Sequence, residues 1–127
     1  MDHKRILMIE DDKEMITLGV LILEKQGYTV FSATNGPDGL EILRHDPVDL
    51  VLLDIMMDDM DGWEVLDQIK ADPDLKQIPV IMLTARHYLE DEQETARHAD
   101  QYDGYIVKPF IVRELVEGVR KVLDARQ

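Results

Sequence analysis

Five times along this sequence a short apolar run gives way to a longer amphipathic stretch. Ile6 to Ile9 is the first run. Asp12 to Gln26 then places Met15, Leu18 and Ile22 at helical spacing and closes at Gly27, a good helix stop. Tyr28 to Ala33 is rich in β-branched and aromatic residues and reads as a strand. Thr34-Asn35-Gly36-Pro37 reads as a turn, and a short helix through Leu40 and Leu43 ends at Pro47. Asp49 to Leu53 is almost wholly apolar, as a strand buried on both faces should be. After the acidic loop Asp58 to Gly62, a helix carries Val65, Leu66 and Ile69 and stops near Asp72-Pro73. Ile78 to Leu83 is the fourth predicted strand, with Pro79 tolerable only near its start. A polar helix over His87 to Asp100, a short strand Tyr105 to Val107 and a last helix Val112 to Ala125 complete the pattern. Strand-then-helix repeated in this way implies parallel strands with helices on both faces. Five units are too few for an eight-unit barrel, so the expected fold is α/β, an open, doubly wound five-stranded parallel sheet. Its crossovers should be right-handed. Ligands in such sheets bind at the carboxyl ends of the strands.

The size suits this architecture. A chain of 127 residues is expected to form a single domain over 1–127, with enough buried surface for a real core. The balance of 27 acidic against 14 basic residues disfavours direct binding to nucleic acid or to an anionic membrane, whose phosphates would repel it. The absence of cysteine excludes disulfides and thiolate metal sites and suits a cytoplasmic location. No apolar run approaches the roughly 20 residues of a membrane helix. The run from Ile6 to Ile9 is also too short for a signal-peptide core.

Polar residues follow the apolar runs at four of the five expected strand ends. Glu10, Asp11 and Asp12 follow the first, Asp54 the third, Thr84 and the small Ala85 the fourth, and Lys108 the fifth. Clustered carboxylates repel one another, and a hard cation such as Mg²⁺ resolves that repulsion. A lysine and a hydroxyl facing the same point would hold a tetrahedral anion. Such a set describes a phosphoryl site in which one carboxylate attacks phosphorus. Each residue also has an ordinary role: Asp11 or Asp12 serves equally as a helix N-cap, and Thr84 or Lys108 alone as a strand end. What sets the group apart is its placement at the ends of different runs.

These residues sit in motifs that resemble the receiver domain of two-component response regulators, the CheY-like family. The motifs are Ile6-Leu7-Met8-Ile9-Glu10-Asp11-Asp12; Asp49-Leu50-Val51-Leu52-Leu53-Asp54-Ile55-Met56 running on to Met60-Asp61-Gly62; Pro79-Val80-Ile81-Met82-Leu83-Thr84-Ala85; and Asp103-Gly104-Tyr105-Ile106-Val107-Lys108-Pro109-Phe110. The resemblance covers essentially the whole chain. It implies a flavodoxin-like sheet of strand order 2-1-3-4-5. It also implies that Asp54 accepts a phosphoryl group from a phosphohistidine on a sensor histidine kinase or a histidine phosphotransfer protein. Glu10 and Asp11 match the acidic pair that holds Mg²⁺ (or Mn²⁺), with Asp11 the more direct ligand and Asp12 outside the pair. Met56 matches the position whose backbone carbonyl completes the metal site. Lys108 matches the lysine that pairs with Asp54 at rest and with the phosphoryl oxygens afterwards. Thr84 matches the switch hydroxyl, Ala85 the small residue that admits a backbone N–H, and Tyr105 the switch aromatic. Output would come from the face of the fourth helix, fifth strand and fifth helix, acting on a downstream protein, a fused output domain or a second copy in a homodimer. The implied role is a signalling switch that assists its own phosphorylation, not an enzyme for a separate metabolite.

The sequence departs from the family pattern in places. Asp58 stands where proline is usual, the stretch from Thr84 to Lys108 is slightly longer, and Gln101-Tyr102 replaces a common Gly-Ala pair. An extended or shifted fourth helix is expected from this. Met56 and Arg86 occupy positions that are polar in family members with fast self-dephosphorylation, so a long-lived aspartyl phosphate is expected. A phosphohydrolase of the haloacid dehalogenase type would need a second acid where Met56 stands, and a flavin protein would need a Ser/Thr-rich loop where Glu10-Asp11-Asp12 stands. The scattered His3, His45, His87 and His98 read as surface residues, and Trp63 as a packing residue. Met8, Met56 and Met82 read as core filling. Glu90, Asp91, Glu92 and Glu94 read as a solvated helix face.

Overall fold

The computed structural model describes residues 3–57, 60–85 and 96–125. Five strands form one parallel sheet: β1 (Arg5–Ile9), β2 (Thr29–Ala33), β3 (Leu50–Asp54), β4 (Val80–Ala85) and β5 (Gly104–Lys108), in the order β2-β1-β3-β4-β5. Three helices, α1 (Lys13–Lys25), α2 (Gly36–His45) and α3 (Gly62–Ala71), and the C-terminal helix Val112–Ala125 pack on its faces. Among the described residues no helix is long and apolar enough to cross a membrane.

Side chains alternate across a strand, so each strand serves two cores. Leu7, Ile9, Val51, Leu53, Val80 and Met82 face α2 and α3, meeting Leu40, Leu43, Val65, Leu66 and Ile69. Ile6, Met8, Leu50, Leu52, Ile81, Leu83 and Ile106 face α1 and the C-terminal helix, meeting Leu23, Leu115 and Val119. All five residues of β3 are buried, as its unbroken apolar run requires.

Helix ends follow local chemistry. The Asp12 carboxylate accepts from the amides of Glu14 and Met15, and Gly27 ends the α1 region at φ 92°, a conformation that favours glycine. Asn35 caps α2, which therefore begins inside the expected turn, with Pro37 in its first turn. Asp61 caps α3 by accepting from Glu64 N at 2.9 Å. Replacing Asp61 with Ala should cost about 1 kcal/mol, read as a lower urea midpoint at an unchanged slope; no loss would show the cap to be idle.

Most strand boundaries differ from expectation by one or two residues, and those of β3 and β4 bear on the site. β3 extends to Asp54, and β4 starts at Val80 and runs on through Thr84 and Ala85. The carboxyl and hydroxyl are therefore held by ladder pairing rather than by loops. Pro79 lies just before β4, where its missing N–H costs no ladder bond. Of the helix expected over His87 to Asp100, residues 86–95 lie outside the described residues; Ala96 and Arg97 are helical and His98 to Asp100 form a turn. Arg86, His87, the acids from Glu90 to Glu94, and Asp58 and Asp59 also lie outside them.

Candidate functional site

Parallel register brings the polar strand ends together. Ile9 pairs with Leu53 and Asp54 with Leu83, so Glu10 stands level with Asp54 and Thr84 one residue beyond. Ala85 pairs with Lys108 at the next ladder. Glu10 lies two past Met8, Asp54 two past Leu52 and Lys108 two past Ile106, all of one parity, so their side chains share the α1 side of the sheet.

Lys108 Nζ donates to Glu10 Oε1 at 2.9 Å and to Asp54 Oδ1 at 3.0 Å. Glu10 is fully buried and Asp54 is 2% exposed. The second Glu10 oxygen accepts from Asp12 N at 3.0 Å. Asp54 Oδ1 also accepts from Met56 N at 3.4 Å, whereas Oδ2 is buried with no partner among the described residues. A buried charge is costly unless paired and hydrogen-bonded. Burial, and next the Glu10 carboxylate, push Asp54 up to about 7, and Lys108 only partly offsets them. Burial acts to lower Lys108, but the Glu10 hydrogen bond and the Asp54 charge outweigh it and hold the ammonium above the ordinary lysine value.

Glu10, Asp11 and Asp54 each offer a carboxylate oxygen within 4.8 Å of the others, with Asp11 exposed. Oxygen-only donors, with one buried oxygen unpartnered, suit a hard divalent cation. Thr84 is buried, and its hydroxyl donates to Ala85 O at 2.9 Å rather than to Asp54. Tyr105 faces solvent at 55% exposure. The Lys108–Pro109 peptide bond is cis.

The chain matches the response regulator receiver domain over residues 6–120. It belongs to that family. The receiver domain is the phosphorylation-dependent signalling part of two-component systems, and the strand order here is that of the CheY-like fold. The chain is 37% identical over 121 residues to the heme response regulator HssR of Staphylococcus epidermidis, covering 95% of this chain and 52% of that protein. It is 39% identical over 123 residues to the transcriptional regulatory protein HprR of Escherichia coli, covering 94% and 51%. The chain thus spans about half the length of these curated relatives. Among solved structures, the N-terminal domain of a response regulator receiver protein from Methanoculleus marisnigri is 41% identical, with a TM-score of 0.77 and 94% and 95% of the two chains covered. The receiver domain of a sensor histidine kinase from Pseudomonas aeruginosa is 25% identical, with a TM-score of 0.86 and 97% and 99% covered; that structure has a magnesium ion coordinated in its active site cleft.

Two sequence readings of this receiver domain are corrected. Met56 is not core: it is 62% exposed, because the chain leaves the sheet after Asp54. His98 is not a surface residue: it is 1% exposed, stacked on Trp63 with ring centroids 4.6 Å apart, and its Nε2 lies 3.1 Å from Asp67 Oδ1. Nothing in local periodicity signals a histidine buried by a helix 31 residues away. The hold of Glu10 on Lys108 was equally invisible, since it spans 98 residues of sequence.

Proposed function

We propose that this domain is a phosphorylation-activated switch in which Asp54 takes a phosphoryl group from a phosphohistidine on a sensor histidine kinase or a histidine phosphotransfer protein. The observation that carries the reading is the Asp54 carboxylate, with one oxygen held by Lys108 and the other buried and unpartnered. A carboxylate oxygen attacks phosphorus in line, the P–N bond breaks and the donor imidazole leaves with the electron pair. The donor is already reactive, so the domain mainly supplies alignment and charge neutralisation. Lys108 keeps its ammonium beside Asp54 and meets the incoming phosphoryl oxygens. Glu10, Asp11, Asp54 and the Met56 backbone carbonyl would hold Mg²⁺ (or Mn²⁺), which supplies further neutralisation of those oxygens.

The switch follows from contacts available in one state only. The Thr84 hydroxyl, now on the Ala85 carbonyl, turns to a phosphoryl oxygen whose neighbouring amide the small Ala85 leaves accessible. Tyr105, now outward, moves into the room that Thr84 vacates. The face of the fourth helix, β5 and the C-terminal helix carries the change to a downstream protein, a fused output domain or a second copy. On this reading the domain is cytoplasmic, binds neither nucleic acid nor membrane itself, and acts on no separate metabolite.

Incubation with acetyl phosphate and Mg²⁺ should add one phosphoryl mass to the wild type and none to Asp54→Asn. An unmodified wild type, or a modified variant, would defeat the assignment. The same sample tests lifetime. Met56 is apolar and cannot orient a hydrolytic water, so decay should take minutes or longer; a half-life of seconds would contradict that.

A further inference from the structure

The cluster around Trp63 lies outside the phosphoryl site, yet its geometry links to it. Trp63 is the only tryptophan of the sequence and the second residue of α3. One ring face stacks on His98 at an interplanar angle of 21°, and Tyr102 lies tilted against it at 6.0 Å. His98 reaches Asp67, one helical turn beyond Trp63, so the imidazole grips α3 at two points. Arg97 adds an exposed ion pair to Asp67 at 3.6 Å, a contact of little energetic weight. At the other end of this stretch, Asp103 is tied to the start of β4: its N donates to Val80 O at 2.8 Å and its Oδ2 accepts from Val80 N at 2.9 Å. The stretch from His98 to Asp103 is thus fixed to α3 and to the sheet.

The start of α3 in turn bears on the acceptor. Gly62 N donates to Ile55 O at 2.7 Å, and a Cβ on Gly62 would meet Asp54 O at 2.3 Å. No side chain cushions this approach, so displacement of the Asp54–Ile55 backbone moves Trp63, the next residue. A buried histidine held through a hydrogen bond and a stacked face is constrained in direction, as an apolar side chain would not be. Coupling between sites requires a two-state element whose equilibrium both sites bias.

We infer that the Trp63–His98–Asp67 cluster is a latch that ties the segment entering β5 to α3, so that a change at Asp54 reaches that segment through Gly62 and Trp63. His98 is then a positioning residue. The inference rests on the phosphoryl-site reading above, because it supplies a route from that site to the segment preceding β5.

The test uses beryllofluoride with Mg²⁺ as the probe, on the chain as it stands. Binding is read by fluorine NMR, the latch by Trp63 emission and by hydrogen exchange over residues 96–108. In the wild type, binding should change both latch readouts. His98→Phe keeps the stack and loses the hydrogen bond; exchange over 96–108 should rise before ligand is added and cease to respond to it, and probe affinity should shift by about two- to thirtyfold. Asp67→Asn keeps an acceptor and should behave as wild type, whereas Asp67→Ala should repeat the His98→Phe result and serves if that variant does not fold. Bound fluorine signals with wild-type exchange and emission responses in both His98→Phe and Asp67→Ala would overturn the latch and leave the phosphoryl site standing. No bound fluorine signal in the wild type would overturn the site, and the latch with it.

Discussion

Asp54→Asn should be more stable than the wild type at pH 8, by about 2 kcal/mol, and the advantage should vanish near pH 4. The sign follows from the raised pKa of the folded form, about 7 against an ordinary 3.8. Above pH 7 the carboxylate is ionised whether the chain is folded or not, and the folded site bears the full cost of holding the charge beside Glu10. Near pH 4 the group is neutral in the folded chain and about half protonated in the unfolded one, so little of the cost is left. Between these limits the wild type therefore gains on the variant as pH falls. The full linkage is about 4 kcal/mol, already net of the Lys108 attraction, and about half of it is expected to survive relaxation of the site around the charge. Urea unfolding with a chelator present, across pH 4 to 8, measures the difference directly. A variant less stable than the wild type at pH 8, or a difference constant with pH, would show that the Lys108 pairing outweighs the desolvation of Asp54.

Gly62→Ala should destabilise the fold by about 3 kcal/mol, against the usual direction for that change in a helix. Helix propensity alone favours alanine over glycine by about 1 kcal/mol. Here Gly62 opens α3 without a positive φ, so backbone conformation does not demand glycine. Space does: the added Cβ would meet Asp54 O at 2.3 Å and Ile55 Cα at 2.7 Å, backbone atoms of the buried last residue of β3 and of the buried residue after it. Neither can rotate away, so α3 or the strand end must shift. Gly104→Ala is the control, because its Cβ would meet only Val122 Cγ2 at an ordinary 3.9 Å. A Gly62→Ala melting temperature within a degree of wild type would mean that α3 moves freely, and would also remove the contact by which Asp54 addresses Trp63.

Much of this was legible before any coordinates. The apolar runs located all five strands, and the residues following them supplied Glu10, Asp54, Thr84 and Lys108. The strand ends that run past expectation at the carboxyl edge do so for one reason. Asp54, Thr84 and Lys108 are not apolar, so hydrophobicity ends each run early, while ladder hydrogen bonds carry the strands on. Met56 failed as a core residue because a run of apolar letters continues past the point where the sheet stops covering it.

By itself the sequence determined the fold class, the parallel order of elements and the chemistry available at the carboxyl edge. Those depend on periodicities of two and 3.6 residues and on residue type, all of which are local. The tertiary structure alone decided who touches whom: Lys108 bridging Glu10 and Asp54, the Thr84 hydroxyl on its neighbour's carbonyl, Gly62 against the acceptor's backbone, and His98 buried on Trp63. Most of these contacts join residues distant in sequence, and even the local Thr84 bond depends on how β4 is held. Register and packing set them, and no local pattern encodes either.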